Sequence, residues 1–277
     1  MIPWLLLACS GAHPPLVPGP AMPESPAWAL VRRHPDRPLV VAHRGASGQA
    51  PENTLAAYRL ALAQGARAAE TDVFLTADGH VVALHDRTLD RTTDGTGAVA
   101  DHTLAQLRSL DAGSWFDPGF AGEGVPTLGE LLDLTRDAAV LCVEIKAGDG
   151  IVAAIAEQLD ARAMRDQVVI FSFDADAVGQ AGVVLPDVPS LLLASRSGSP
   201  RIYDPGVIDQ ALLLAADALG FNHQALTQSL VDGAHAAGLA VFTYTVNKQA
   251  DLMRVRELGV DGVITDWPER VADWLGE

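Results

Sequence analysis

Two histidines, two basic residues and three carboxylates stand at the ends of apolar runs in this sequence. "PLVVAHRG" closes on His43 and Arg44, "AAETDVFLT" carries Glu70 and Asp72, and "AVLCVEIK" carries Glu144 and Lys146. The members of each of the last two pairs are two positions apart, so on a strand they point to one face. Any one of these carboxylates alone reads as an ordinary surface residue at a strand end. Three converging on one point repel one another in a low dielectric and need a cation among them. An all-oxygen donor set suits one divalent cation, Mg²⁺ or Ca²⁺, better than Zn²⁺. His43 and His85 have the chemistry to take a proton from a nucleophile and deliver one to a leaving group. Arg44 offers a fork for phosphate oxygens, and Lys146 adds a second positive charge. His13, His34, His80, His102, His223 and His235 lack such company and read as surface or loop residues.

The elements that must position these groups alternate from Pro38 onward. Short β-branched runs ("PLVVAH", "AAETDVFLT", "AVLCVEIK", "VVIFSF", "SLLLAS", "ALGFN", "AVFTYTVN", "GVITD") are separated by helical stretches, the pattern of a parallel sheet with covering helices. Eight such runs close a (β/α)8 TIM barrel, whose chemistry belongs at the C-terminal ends of its strands. A doubly wound open sheet is disfavoured because no glycine-rich dinucleotide fingerprint follows any strand. "NTLAAYRLALAQG" reads as a helix with Asn53 as its N-cap and Leu55, Tyr58 and Leu62 on one face. Ala77-Asp78-Gly79 signals a tight turn, so "TDVFLT" and "HVVALHD" pair as a hairpin that sets His85 opposite Asp72 or Glu70.

At 277 residues, with 49% apolar and 19% charged, the chain can bury a substantial core. Its 19 Lys+Arg against 35 Asp+Glu give a formal charge of −16, which disfavours nucleic acid or an anionic membrane surface as a partner. An anionic substrate must therefore meet a locally positive site. Two cysteines give neither a disulfide framework nor a zinc site; Cys142 reads as a small buried strand residue. Cys9 ends the apolar run "IPWLLLA" before a proline-rich stretch, resembling the acylated cysteine and tether of an exported bacterial lipoprotein. The expected organisation is a leader and tether over residues 1–37 and a barrel over 38–277, with a membrane tether through acylated Cys9 and a lipid-anchored or periplasmic location; a cytoplasmic enzyme is the alternative.

The blocks "HRGASGQAPENTLAAY", "AAETDVFLTADGHVVALHDRTLDRTTDGTG" and "VEIK", followed by "YTVN" and "GVITDWP", closely resemble the glycerophosphodiester phosphodiesterases over residues 38 to 270. The resemblance implies a (β/α)8 barrel with a small insertion at about 87–127, and hydrolysis of a glycerophosphodiester substrate to sn-glycerol 3-phosphate and an alcohol. By position it implies His43 and His85 as catalytic, Glu70, Asp72 and Glu144 as metal ligands, and Arg44 and Lys146 as phosphate-holding. Tyr244 stands where the family commonly has tryptophan, which bears on stacking against the substrate. The alternatives are phospholipase D-like action on lysolipids and a non-catalytic phosphodiester-binding protein. The lipid reading would call for an apolar rim, for which "SWFDPGF" (Trp115, Phe116, Phe120) is the one candidate. The plainer expectation is that these aromatics plug the insertion onto the barrel. Arg87 or Arg91 is expected near the substrate.

Overall fold

A computed structural model describes residues 25–147, 150–197, 202–204 and 206–276. The strands are β1 (Leu39–His43), β2 (Ala68–Leu75), β3 (Val81–Ala83), β4 (Val140–Ala147), β5 (Val168–Ser172), β6 (Ser190–Leu193), β7 (Arg196–Ser197), β8 (Ile202–Tyr203), β9 (Ala218–Asn222), β10 (Ala240–Tyr244) and β11 (Gly262–Thr265). Eight of them pair in parallel in the order β1-β2-β4-β5-β6-β9-β10-β11, and β11 returns to β1, so the sheet closes into the expected barrel. Closure removes every edge from the barrel sheet itself. β3 is the hairpin partner of β2, and β7 and β8 form a two-residue ladder outside the barrel.

Helices α1 (Pro26–Leu30), α2 (Leu55–Ala63), α3 (Leu104–Leu107), α4 (Leu128–Thr135), α5 (Ile151–Arg162), α6 (Ala175–Val184), α7 (Val207–Leu213), α8 (Gln228–Ala236), α9 (Gln249–Glu257) and α10 (Pro268–Leu275) surround or cap the sheet. None is long and apolar enough to cross a membrane, among the described residues. The N-cap of α2 is Thr54, whose hydroxyl accepts from the Ala57 amide, and not Asn53. Asn53 has a left-handed backbone (φ +57°) and turns its amide inward, a placement that the Asn-Thr pair in sequence does not distinguish from capping.

Val41, Ala68, Val140, Cys142, Phe171, Phe242 and Ile264 fill the barrel interior beneath the site. The bottom is closed by α1, whose Ala27, Trp28 and Leu30 join the same cluster. Trp28 donates its indole N–H to the Asp187 carbonyl at 3.2 Å. Asp261 ties this segment to the barrel: it accepts from the His34 amide (2.7 Å), Arg33 Nε (3.2 Å) and the Val241 amide (2.8 Å). Residues 26–30 thus pack onto the barrel, where the Trp28 and Leu30 side chains are the stopper for its open lower end. Cys9 and the rest of residues 1–24 lie outside the described residues. Two histidines read as surface or loop are not exposed: His223 is buried, and His235 bonds Asp261 at 2.8 Å.

The insertion carries its own small core of Leu89, Val99, Leu107, Ala112 and Val125, packed on Phe74, Val82 and Leu84. These aliphatic residues, and not Trp115, Phe116 and Phe120, hold it to the hairpin. The three aromatics instead stack edge-to-face on one another, with centroids 5.7 and 5.8 Å apart, and Trp115 is exposed.

Trp28→Ala should cost about 3–5 kcal/mol, as for other large buried aromatics, and lower the thermal midpoint accordingly. A melting curve unchanged from the parent would mean that α1 is dispensable tether.

Candidate active site

Strand register assembles the cluster. His43 pairs with Glu70 across β1–β2, and Asp72 pairs with Glu144 across β2–β4. His43, Glu70 and Glu144 stand above the apolar interior, two positions after the inward Val41, Ala68 and Cys142, and Asp72 follows Glu70 on the same face. One carboxylate oxygen from each of Glu70, Asp72 and Glu144 falls within 4.8 Å of the others. All three residues are buried, and Glu70 Oε1 has no hydrogen-bond donor.

Cations compensate this charge. Lys146 Nζ lies 2.9 Å from Asp72 Oδ1 and 2.5 Å from Glu144 Oε1. Arg44 Nε lies 3.0 Å from Asp72 Oδ2, while its Nη1 donates to Glu52 Oε1 at 2.8 Å. Arg44 and Gly45 both adopt positive φ (+55° and +82°), which turns the strand end sharply and lets the Arg44 amide donate to Glu70 Oε2 at 3.0 Å. At Gly45 a Cβ would stand 2.6 Å from the Ala57 carbonyl carbon, so this turn requires glycine. Asn53 completes the support. Its Nδ2 donates to Asp72 Oδ2 at 2.9 Å, and its Oδ1 lies 2.9 Å from the buried Tyr58 hydroxyl.

Burial pushes the Glu70 carboxyl far up, reinforced by Asp72 and Glu144. Burial and Asp72 likewise raise Glu144 to about 7 against the pull of Lys146. Asp72 feels the same burial, but Arg44 and Lys146 hold it down to about 2. Asp72 is therefore the anionic centre of the set, and the two glutamates resist ionising beside it. Three buried acids whose oxygens meet within 4.8 Å, with Glu70 Oε1 undonated, fit a divalent, oxygen-preferring ion.

The histidines flank the cluster in matched settings. His43 Nδ1 is 2.6 Å from Asp266 Oδ1, and its Nε2 is 4.0 Å from Glu70 Oε2. Asp266 accepts as well from Ser47 Oγ (3.1 Å) and Asn247 Nδ2 (2.5 Å); against its burial, His43 first and these donors after it lower its pKa. His85 Nδ1 is 2.6 Å from Asp86 Oδ1. Arg91 binds both Asp86 (Nε to Oδ2, 2.6 Å) and Glu52 (2.7 and 2.8 Å), so a charged chain runs from His85 through Asp86, Arg91, Glu52 and Arg44 to Asp72. Burial lowers the His85 pKa, and Arg44 and Lys146 add to this. The hairpin brings His85 to the cluster, though one position out of the expected register. The Leu84 amide donates to the Asp72 carbonyl at 3.0 Å, so Leu84 faces Asp72.

His43, Arg44, Glu70, His85, Glu144, Lys146 and Tyr244 all line one cleft of about 160 Å³ at the barrel mouth, with Phe171 and Phe173 along its apolar wall. Tyr244 stands edge-on to Phe173 (5.9 Å) and its hydroxyl donates to the Ala194 carbonyl at 3.1 Å. The sequence alone points to no role for Asp86, Asp266, Glu52 and Phe173, and for Asn53 only to capping. Asp86 was signalled by its adjacency to His85, whereas nothing local tied Asp266 to His43, 223 residues away.

The profile of the glycerophosphoryl diester phosphodiesterase family matches residues 43–270. This chain belongs to that family. It is 39% identical over 240 residues to a glycerophosphodiester phosphodiesterase of Caldanaerobacter subterraneus, covering 83% of this chain and 95% of the relative. It is 36% identical over 252 residues to one of Bacillus subtilis, covering 85% of both chains. The fold is similar to that of an Oleispira antarctica phosphodiesterase solved with the product sn-glycerol 3-phosphate, with TM-score 0.82, 31% identity, and 91% of this chain and 99% of that one covered.

A folded acid with a raised pKa stabilises below its unfolded value and loses that contribution as pH rises through the folded one. In chelator-treated protein, thermal stability should therefore decline as pH rises from about 4.3, the ordinary glutamate value, through the Glu144 value of about 7. Mg²⁺ or Ca²⁺ should reverse the decline, and Glu144→Gln should flatten it. Melts at stepped pH that show no slope and no response to either ion would contradict this.

Proposed function

We propose that this protein hydrolyses glycerophosphodiesters to sn-glycerol 3-phosphate and an alcohol, with His43 and His85 exchanging protons at the two ends of the displacement. One observation carries the assignment: both imidazoles are held by a carboxylate at Nδ1, which leaves both Nε2 atoms for a cleft shared with buried acids and two cations. A divalent cation held by Glu70, Asp72 and Glu144, with Mg²⁺ and Ca²⁺ both suited to the donors, would polarise a phosphate oxygen as a Lewis acid.

Arg44 and Lys146 oppose the negative charge of the phosphoryl group as the new P–O bond forms and the P–O bond to the alcohol breaks. One imidazole accepts the proton of the attacking oxygen at Nε2. The other donates from Nε2 to the departing alkoxide, which is otherwise a poor leaving group. Asp266 and Asp86 fix each ring's tautomer and orientation, as carboxylates do behind catalytic histidines generally. The apolar wall of Phe171, Phe173 and Tyr244 restricts water beside the reacting centre and presents aromatic surface to the substrate.

A second reading, action on lysophospholipids, is favoured by the exposed Trp115 at the head of the stacked aromatics on the insertion. Export and acylation at Cys9, proposed from the apolar run and proline-rich stretch, would bring the enzyme to such lipids.

Purified protein supplied with Mg²⁺ or Ca²⁺ should release glycerol 3-phosphate from glycerophosphocholine. His43→Ala and His85→Ala should each lower turnover by roughly 10²-fold or more with unchanged circular dichroism. Release of choline from lysophosphatidylcholine with no reaction on glycerophosphocholine would favour the lipid reading, and parent-like turnover in both alanine variants would remove the histidines from the mechanism.

A further inference from the structure

A second cavity, about 480 Å³ against about 160 Å³ for the catalytic cleft, opens over the ends of β5 and β6 and the start of α7. Phe173 and Leu193 line both spaces, so the two meet at those side chains. The cavity lies along the apolar wall of the cleft, away from His43 and His85, and adds Ala194, Ser195, Asp204 and Gln210. Nothing in the chemistry described above uses it.

We propose that this cavity receives the alcohol arm of the phosphodiester, and that Phe173 and Asp204 favour alcohols carrying an ammonium group. The proposal rests on the hydrolysis inferred above. With the phosphoryl group against Arg44 and Lys146, the small cleft has room for one short arm, and the other must pass Phe173. Lys146 Nζ stands over the Phe173 ring at 6.0 Å from its centroid, so the ring links the phosphoryl site to the cavity, and a head group on the cavity side meets the part of the ring that Lys146 does not cover.

The ring is 43% exposed, unusual for a phenylalanine beside a buried cluster, and an exposed aromatic face attracts quaternary and primary ammonium groups through its quadrupole. Asp204 is the one ionisable side chain among the described residues of the lining. Its Oδ1 accepts from the Gly206 amide at 2.8 Å, which fixes the carboxylate at the cavity wall. An aromatic ring and one carboxylate form a cationic subsite. A neutral polyol arm would gain little there, and an anionic arm would be repelled.

The test compares kcat/KM for glycerophosphocholine, glycerophosphoglycerol and the methyl ester of glycerol 3-phosphate, whose alcohol is too short to enter the cavity. The parent should prefer the choline ester to the glycerol ester. Asp204→Asn, which keeps the acceptor for Gly206, should shrink that preference about fivefold, chiefly through KM, and leave the methyl ester unaffected. Asp204→Glu should restore the preference, and Phe173→Leu should weaken it independently. An equal choline-to-glycerol ratio in parent and Asp204→Asn would overturn the subsite. A parent that cleaves none of the three esters would overturn the hydrolysis itself, a different result from intact cleavage without selectivity.

Discussion

Three carboxylates confined to one buried patch set the terms for everything around them. At a few ångströms each like-charged pair repels by about 4 kcal/mol even at a generous effective dielectric. The protein answers with two cations, Arg44 and Lys146, which both approach Asp72, and with glutamates whose protons are held tightly beside it. Asp72 is thus the hub: Asn53, Arg44 and Lys146 all converge on it, and Tyr58 braces Asn53 from α2. The left-handed Arg44-Gly45 turn, the inward Asn53 and the buried tyrosine hydroxyl all serve to keep an ionised aspartate at the barrel mouth.

The same constraint explains how the histidines are mounted. Each imidazole has its own carboxylate, Asp266 for His43 and Asp86 for His85, but the two carboxylates are buttressed differently. Asp266 follows the last barrel strand and receives neutral donors from Ser47 and Asn247. Asp86 sits on the insertion side and is gripped by Arg91, whose second partner Glu52 leads back to Arg44. One imidazole is therefore built into the barrel rim, and the other is held by a charge network that spans the hairpin, the first βα loop and the insertion. That asymmetry gives the two rings different electrostatic surroundings, which an acid and a base require.

The apolar wall plays the opposite part. Phe171, Phe173, Leu193 and Tyr244 bring no charge to the cleft and give it one apolar side away from the cations. The stopper helix α1 and the aliphatic core of the insertion close the interior from below and hold the hairpin from above. Function is concentrated at one end of the barrel, and most of the stability lies beneath it.

Much of this was legible in the sequence, because it depends on local periodicity. Eight apolar runs spaced by helical stretches specify a closed parallel barrel. Pairs two apart on a strand must share a face, so Glu70 with Asp72 and Glu144 with Lys146 were fixed as same-face pairs by the pleat alone. His43-Arg44 at a strand end and the Asp-Gly hairpin turn had the same local character. Partnerships across the closed sheet were not legible. Asp266 behind His43 depends on β11 returning to β1, the stopper role of Trp28 on the barrel having an open lower end, and the inward turn of Asn53 on Asp72 waiting there for a donor. Side-chain periodicity is a property of one segment, and the sequence determined it. Which segments end up adjacent, and which buried charges must then be answered, is a property of closure, and only the tertiary structure decided that.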